Sequence, residues 1–153
     1  MPFGLEQRTP LLWIALQRII AGGLFLWAGI EKIRQHFRGP ELQKALDSWS
    51  AAGKTFGFAK EALAKYVLPR LGDVAAAVVA GELVAGCSLV LGLASRVGAL
   101  IALLLNVAYY VASRESINLF MIVVALAVLV SGGGRTLGLD GSIKAGSPRW
   151  FLG

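Results

Sequence analysis

Two apolar stretches of twenty residues decide the fold of this chain: LLWIALQRIIAGGLFLWAGI (residues 11–30) and VAAAVVAGELVAGCSLVLGL (residues 74–93). A hydrocarbon core of about 30 Å is crossed by about 20 helical residues, so each stretch is long enough to span a bilayer. Two shorter apolar stretches follow at residues 97–112 and 117–130. In lipid the backbone N–H and C=O groups must hydrogen-bond to each other, which leaves only helices or a closed barrel. None of the four stretches alternates with the period of two that a barrel strand requires, so we predict four helices.

The composition of the whole chain also indicates a membrane protein. Of its 153 residues, 56% are hydrophobic and only 16% are charged, and the mean hydropathy is +0.68. Soluble domains carry about 25% charged residues. We therefore interpret residues 1–153 as a single transmembrane domain of the all-α class, an antiparallel bundle. Its membrane helices are predicted at about 11–33, 73–93, 96–113 and 116–131.

The long connection between the first two membrane helices is predicted to form helices of its own over residues 40–68. Pro40 is placed to open a helix, and the apolar residues that follow it share one face: Leu42, Ala45, Leu46 and Trp49. Residues 59–67 repeat this pattern, and Pro69 is expected to end the segment before the next span. The two segments either lie in the membrane interface or cover the end of the bundle.

The basic residues predict the orientation. Nine of the fifteen Lys and Arg residues fall on the side of the long connection, five fall on the side of the N-terminus, and Arg18 lies within the first span. The positive-inside rule then places the connection in the cytoplasm, and four spans place both termini on the same side. The net charge of +6 suits anionic lipid headgroups better than nucleic acid, for which no basic groove is visible.

Two charged residues inside the apolar stretches are the main indication of function. A charge at the bilayer centre costs between about 2.5 and about 17 kcal/mol, so we expect Arg18 and Glu82 to meet each other. Counted from the helix starts, they lie about 10 Å and about 15 Å from the same face, with Asn106 at about 13 Å and Tyr109 a turn deeper. The sequence thus predicts one buried polar layer, a candidate ligand or proton site, made of Arg18, Glu82, Asn106 and Tyr109.

Small residues at regular spacing predict that this layer faces inward. They recur every seven residues beside Arg18 and every four beside Glu82, a pattern that lets helices approach closely in lipid: Ala15, Gly22, Gly29, Ala77, Gly81 and Ala85. Other interpretations of the two charges remain open. The pair is a structural link only, or Arg18 extends to the interface, or Glu82 is neutral in its apolar surroundings.

Single Cys and His residues limit the redox chemistry of the chain. Cys87 alone excludes an internal disulfide and a Cys-ligated cluster, and His36 alone excludes a haem held between two histidines of one chain. We therefore expect no cofactor bound covalently or by metal ligation.

Three motifs resemble the DoxX family of small four-helix membrane proteins, including its DoxD-like members. They are GGLFLWAGIEKI (residues 22–33), GELVAGCSLVLGLASRVGAL (residues 81–100) and GGGRTLGLD (residues 132–140). By position, five residues match polar positions that recur in that family: Arg18, Glu31, Lys32, Glu82 and Asp140.

The resemblance implies a multi-pass protein of the bacterial or archaeal cytoplasmic membrane. Some members of the family are the membrane subunit of thiosulfate:quinone oxidoreductase, and others are partners of redox or detoxifying enzymes. It therefore implies a quinone-linked subunit, in which the polar layer binds or protonates a quinone. The alternative is a non-catalytic subunit of a larger membrane complex. We expect the isolated chain to be inactive, with quinone or lipid as ligand, and the bilayer plus other subunits or a second copy as partners.

Overall fold

The computed structural model describes residues 9–131, and its regular structure in this range is entirely helical. Six α-helices follow one another: α1 (Thr9–Arg34), α2 (Gly39–Ala51), α3 (Gly57–Ala62), α4 (Leu71–Leu91), α5 (Ser95–Ser113) and α6 (Ser116–Ser131). The predicted all-α class is confirmed for these residues.

The four long apolar helices pack in a ring, in which α1 contacts α4, α4 contacts α5, α5 contacts α6, and α6 contacts α1. Three helical stretches are long and apolar enough to cross a membrane: Leu12–Arg34, Gly57–Leu91 and Ser95–Ser113. The α6 helix has 16 residues and is shorter than such a span. Four membrane crossings therefore remain a prediction.

Pro69 marks a break, although not a gap, between the second helical segment of the connection and the next span: the residue after it, Arg70, leaves the helical range with φ of −133° and ψ of 34°, and α4 begins at Leu71. Helical residues continue from Gly57 to Leu91 through a π-helical turn (Leu63–Val67) and a 3₁₀ turn (Leu68–Arg70). The backbone N–H of Leu68 donates to the carbonyl of Leu63, five residues back. The π turn and the 3₁₀ turn thus come directly before the break, and Pro69, which has no backbone N–H, lies beside it.

Glycines set the packing of α1 against α4 and show that the two helices are antiparallel. A Cβ atom at Gly22 would lie 2.8 Å from the backbone nitrogen of Val90, and one at Gly29 would lie 3.3 Å from the Cβ atom of Glu82. At Gly86, an added Cβ would come within 2.7 Å of the backbone nitrogen of Leu26. The helices thus touch backbone to backbone, as small residues allow in membrane proteins.

Several small side chains are fully buried inside the bundle, and many large apolar ones are exposed on its outside. Ala15, Ala75, Ala85 and Ala99 are each 0% exposed. Large apolar side chains point outward on every long helix, for example Trp13, Trp27, Leu104, Phe120 and Val130, each more than 60% exposed. An apolar exterior of this extent fits a lipid environment rather than water.

The α2 helix covers one end of the bundle. Its buried Leu42 and Leu46 pack with Ala75 of α4 and Ala112 of α5. Of the two interpretations left open for this segment, the structure shows the covering role, and the depth of the helix in a membrane stays untested.

The segment after α2 is attached to the turn between α5 and α6. The Thr55 hydroxyl donates to the carbonyl of Ala112 at 2.8 Å, and the Arg114 guanidinium lies 3.9 Å from the ring centroid of Phe56. The ammonium of Lys54 lies 3.6 Å from a carboxylate oxygen of Glu115. These contacts, which we name the 54–56 attachment, hold the connection over the bundle end.

Candidate functional site

Glu82 on α4 is the centre of a buried polar cluster. Its side chain is 2% exposed, and its Oε1 atom accepts two hydrogen bonds of 2.6 Å, from the Lys32 ammonium and from the Tyr109 hydroxyl. Lys32 comes from α1 and Tyr109 from α5, so one carboxylate joins three helices. Hydrogen bonds to a charged group are about twice as strong as neutral ones. We refer to Lys32, Glu82 and Tyr109 as the Glu82 cluster.

The second carboxylate oxygen of Glu82 is in a different situation. Both hydrogen bonds fall on Oε1, whereas Oε2 is buried and has no hydrogen-bond partner within residues 9–131. Leaving a buried acceptor unsatisfied costs about 1–3 kcal/mol. Such an atom in a native site indicates that something further, such as a water molecule or a ligand, supplies the missing bond.

Helix packing explains why these three residues meet. Gly29 lets α1 approach α4 at Glu82, and the lysine of the cluster follows three residues later on the same helical face. On the other side of α4, Gly81 packs against Leu105 of α5. The tyrosine of the cluster lies one turn beyond Leu105. Two close helix contacts, each made by a glycine, therefore bring the lysine and the tyrosine to the same carboxylate.

The Glu82 cluster lines a cavity of about 290 Å³, which we name the lateral pocket. Most of its wall is apolar and a minority is polar, as in sites for small organic molecules. The lining residues are Leu24, Phe25, Trp27, Ala28, Lys32, Glu82, Asn106, Tyr109, Ile117, Asn118 and Met121.

The mouth of the lateral pocket lies on the outer, apolar surface of the bundle. Leu24 and Trp27 of α1 are 46% and 68% exposed, and Ile117 of α6 is 57% exposed. These residues line the pocket from neighbouring helices whose outer faces are apolar. A molecule dissolved in the bilayer would therefore reach Glu82 from the side, between α1 and α6.

Two asparagines add amide groups to the pocket. Asn106 is 4% exposed, and its side-chain amide donates to the carbonyl of Ala102 at 2.8 Å. The Asn118 amide donates to the Ser113 hydroxyl at 3.3 Å. Asn106 belongs to the predicted polar layer, whereas Asn118 was missed because an asparagine near the start of a helix gives no signal in the sequence.

Arg18 lies elsewhere, so the prediction that it pairs with Glu82 is wrong. Among residues 9–131 the ion-pair partner of Glu82 is Lys32, and a terminal nitrogen of Arg18 donates to the Ser95 hydroxyl at 3.2 Å. Arg18 is 0% exposed. Lys32 follows Arg18 by fourteen residues on α1, which is about 21 Å along the helix. Of the predicted layer, the structure brings together Glu82, Asn106 and Tyr109 and leaves Arg18 out.

The length of α1 is the reason for this error. The depth count assumed that α1 and α4 begin and end at the same two planes, but Arg18 lies level with the start of α5 at Ser95. In the observed register Glu82 faces Gly29, eleven residues beyond Arg18. That offset is about 16 Å along α1, too far for a guanidinium to reach.

Glu31, another of the predicted polar positions, lies outside the cluster. A carboxylate oxygen of Glu31 accepts a hydrogen bond from the Gln35 amide at 2.8 Å, on the more exposed side of α1. Asp140 falls outside the described residues. Within residues 9–131, no group of His, Cys, Asp and Glu side chains is arranged to hold a metal ion.

The chain matches the family model of DoxX over residues 13–114, from α1 through α5. The chain belongs to the DoxX family. This confirms the resemblance seen in the sequence and supports a membrane-embedded protein. No curated protein and no solved structure matches the chain at a significant level.

The matched region of this DoxX protein contains the whole Glu82 cluster and Asn106. The α6 helix, which supplies one wall of the lateral pocket, and the GGGRTLGLD motif lie beyond it. The family match therefore covers the polar centre and the α1 side of the mouth, while the α6 side of the mouth lies outside it.

Proposed function

We propose that this DoxX protein is the membrane subunit of a redox complex and that its lateral pocket binds a quinone from the bilayer. The observation that carries the proposal is the Oε2 atom of Glu82, buried without a hydrogen-bond partner among residues 9–131, in the wall of an apolar pocket with a lipid-facing mouth. The reduced form, a quinol, has a flat apolar ring that fits the pocket wall and a hydroxyl group that can donate the missing hydrogen bond to Oε2. The carbonyl oxygens of the oxidised quinone only accept hydrogen bonds, and the Lys32 ammonium is the donor for them.

The residues of the Glu82 cluster have distinct roles in this proposal. A quinone supplies two-electron, two-proton chemistry at its carbonyl oxygens. The Tyr109 hydroxyl already donates its one proton to Oε1, so its oxygen acts as an acceptor at the polar end of the pocket. The Lys32 ammonium keeps N–H groups beyond the one used on Oε1 and is the donor to a quinone oxygen, while Oε2 of Glu82 accepts the hydroxyl proton of the quinol. Lys32 is 22% exposed while Glu82 is 2% exposed, so the lysine connects the buried carboxylate to the more accessible end of α1. We assign the electron donor to a partner subunit.

Quinone binding is testable with the purified chain because Trp27 lines the pocket. Quinones quench indole fluorescence on contact, so a short-chain ubiquinone analogue should quench the protein saturably in detergent. Trp27→Phe should remove most of the saturable signal. Non-saturating quenching that is the same in both proteins would contradict the proposal.

Point variants then test the polar end. Tyr109→Phe removes one hydrogen bond worth about 0.5–1.5 kcal/mol, so the dissociation constant should rise about 2- to 10-fold. Glu82→Gln should alter binding as well. Tyr110→Phe is the matched control, because Tyr110 does not line the pocket and its ring packs against Phe56. Equal effects of the two tyrosine variants would count against the site.

A non-catalytic role is the second candidate, and one observation favours it. The Glu82 cluster ties three helices together, which is what a purely structural link would do. Under that interpretation Tyr109→Phe lowers stability while quinone binding and the activity of the assembled complex stay unchanged. Under the quinone interpretation the binding change exceeds any change in stability.

A further inference from the structure

A second cavity lies in the groove between α1 and α4, and it shares no lining residue with the lateral pocket. Its volume is about 580 Å³. One end is formed by the turn after α1, with His36, Phe37 and Arg38, and the floor runs along α4. We name it the 36–38 groove.

The end of this groove is basic. The backbone of His36 is left-handed, with φ of 52°, and the N–H of Phe37 donates to the carbonyl of Lys32 at 2.8 Å, so the chain reverses sharply here. The turn places an imidazole and a guanidinium two residues apart at the groove end. The Glu41 carboxylate accepts a hydrogen bond from the backbone N–H of Arg38 at 3.1 Å. The Arg38 side chain is exposed, and no carboxylate among residues 9–131 lies within ion-pairing distance of its guanidinium.

The floor of the groove is narrow and apolar. Gly72, Ala76 and Ala80 recur every four residues on one face of α4, and all three are exposed. This face extends about 12 Å from Gly72 to Ala80. Small side chains leave room along the helix, so a linear hydrocarbon chain fits against the floor. A cationic end joined to an apolar trough matches an amphiphile with an anionic head.

We propose that the 36–38 groove binds one anionic phospholipid, with its phosphate at Arg38 and His36 and an acyl chain along Gly72, Ala76 and Ala80. The charge of the groove decides against its main competitor, a second copy of the chain. A two-fold axis along the membrane normal would bring the same basic turn of each copy to the same level, where like charges repel. An anionic headgroup instead neutralises them.

Native mass spectrometry of the full chain tests this proposal directly. Delipidated protein in a non-ionic detergent is titrated with phosphatidylglycerol and with phosphatidylcholine of identical acyl chains. Phosphatidylglycerol should bind more tightly, with one molecule retained at low lipid. Arg38→Gln should weaken the binding of phosphatidylglycerol about fivefold, which is the contribution of one basic side chain at a lipid surface. The binding of phosphatidylcholine should stay unchanged.

Matched variants separate the groove from general attraction to lipid. Ala80→Leu places a bulky side chain on the floor and should also weaken phosphatidylglycerol binding. Ala77→Leu changes an exposed alanine of α4 outside the groove, and Lys44→Gln removes an exposed cation of α2, so both should bind as the unchanged protein does. Unfolding curves confirm that each variant is folded. If Ala80→Leu does not fold, the comparison of Arg38→Gln with Lys44→Gln still tests the proposal.

Two results would overturn the proposal. One is equal affinity for the two lipids, or an effect of Lys44→Gln as large as that of Arg38→Gln. The other is a dimer that persists without lipid and is lost in Ala80→Leu but not in Ala77→Leu, which would make this face an interface between copies.

Discussion

At the scale of single residues, the cost of burying charge falls unequally on the two members of the Lys32–Glu82 ion pair. Glu82 is 2% exposed, so its carboxylate depends on its partners for stabilisation. Lys32 is 22% exposed and retains some contact with the surface. Removing the lysine strands a buried charge, whereas removing the carboxylate leaves an ammonium that can still be partly solvated.

Lys32→Leu is therefore expected to destabilise the protein more than Glu82→Leu does. A single removal that strands a buried charge costs about 3–5 kcal/mol, and the double variant should cost less than Lys32→Leu alone. Unfolding in SDS followed by circular dichroism measures these differences. Arg34→Gln is the control, because the exposed Arg34–Glu31 pair at 3.9 Å should contribute less than about 1 kcal/mol. A loss in Lys32→Leu no larger than in this control would contradict the account.

The residues alone placed Glu82, Asn106 and Tyr109 in one polar layer, whereas Lys32 was named only through the resemblance to DoxX and not as the partner of Glu82. A carboxylate, an amide and a phenol inside apolar helices are conspicuous, so they were predicted from the pattern alone. Lys32 lies at the end of an apolar stretch, where a lysine usually only marks the membrane boundary. Its role depends on the α1–α4 register, and the close contact of Gly29 with Glu82 that sets it is a tertiary feature.

At the scale of the helices, the approach of α1 to α4 depends on specific glycines. Gly86→Ala is expected to destabilise the protein by about 1–3 kcal/mol, because the new methyl group would lie 2.7 Å from a backbone nitrogen of α1. Gly23→Ala is the matched control, since nothing lies within 4 Å of its added Cβ and alanine favours the helix. Unfolding in SDS should show that Gly86→Ala is less stable than Gly23→Ala. Equal stability of both variants would refute the packing described here.

The 54–56 attachment predicts the local stability of the connection. Thr55→Val removes the buried hydrogen bond to Ala112 and should cost about 1–2 kcal/mol. Hydrogen exchange should accelerate in residues 52–58 and stay unchanged in the middle of α4. Ser48→Ala, which removes an exposed hydroxyl on α2, should leave both regions as they were. Faster exchange throughout the chain would show instead that the variant disturbs the whole bundle.

Helix type was predictable from the sequence at this scale, but the winding of the turns before α4 was not. Long apolar runs indicate the membrane helices. The spacing of Leu42 and Leu46 indicates α2, because residues four apart lie on one face of a helix with 3.6 residues per turn. Pro69 reads as a stop because it lacks a donor. The backbone does leave the helical range directly after it, at Arg70. The π turn that precedes Pro69 depends on local adjustment that the sequence pattern does not encode.

At the scale of the whole molecule, the basic residues predict that the connection faces the cytoplasm. In a Cys87→Ser background, Lys44→Cys should resist a membrane-impermeant maleimide in intact cells and react once the cells are opened. The exposed position of Lys44 on α2 makes it a suitable reporter. Labelling of Lys44→Cys in intact cells would show that the connection faces the outside of the cell. The proposed quinone site does not depend on this orientation.

Photolabelling with an azidoquinone tests the central claim, that the lateral pocket is a quinone site, most directly. The account predicts that the label maps to the pocket walls at residues 24–28 and 117–121, that excess unlabelled quinone competes it away, and that Tyr109→Phe reduces it more than Tyr110→Phe does. Label spread over the exposed apolar faces of α4 and α5, insensitive to competitor and to both variants, would contradict it.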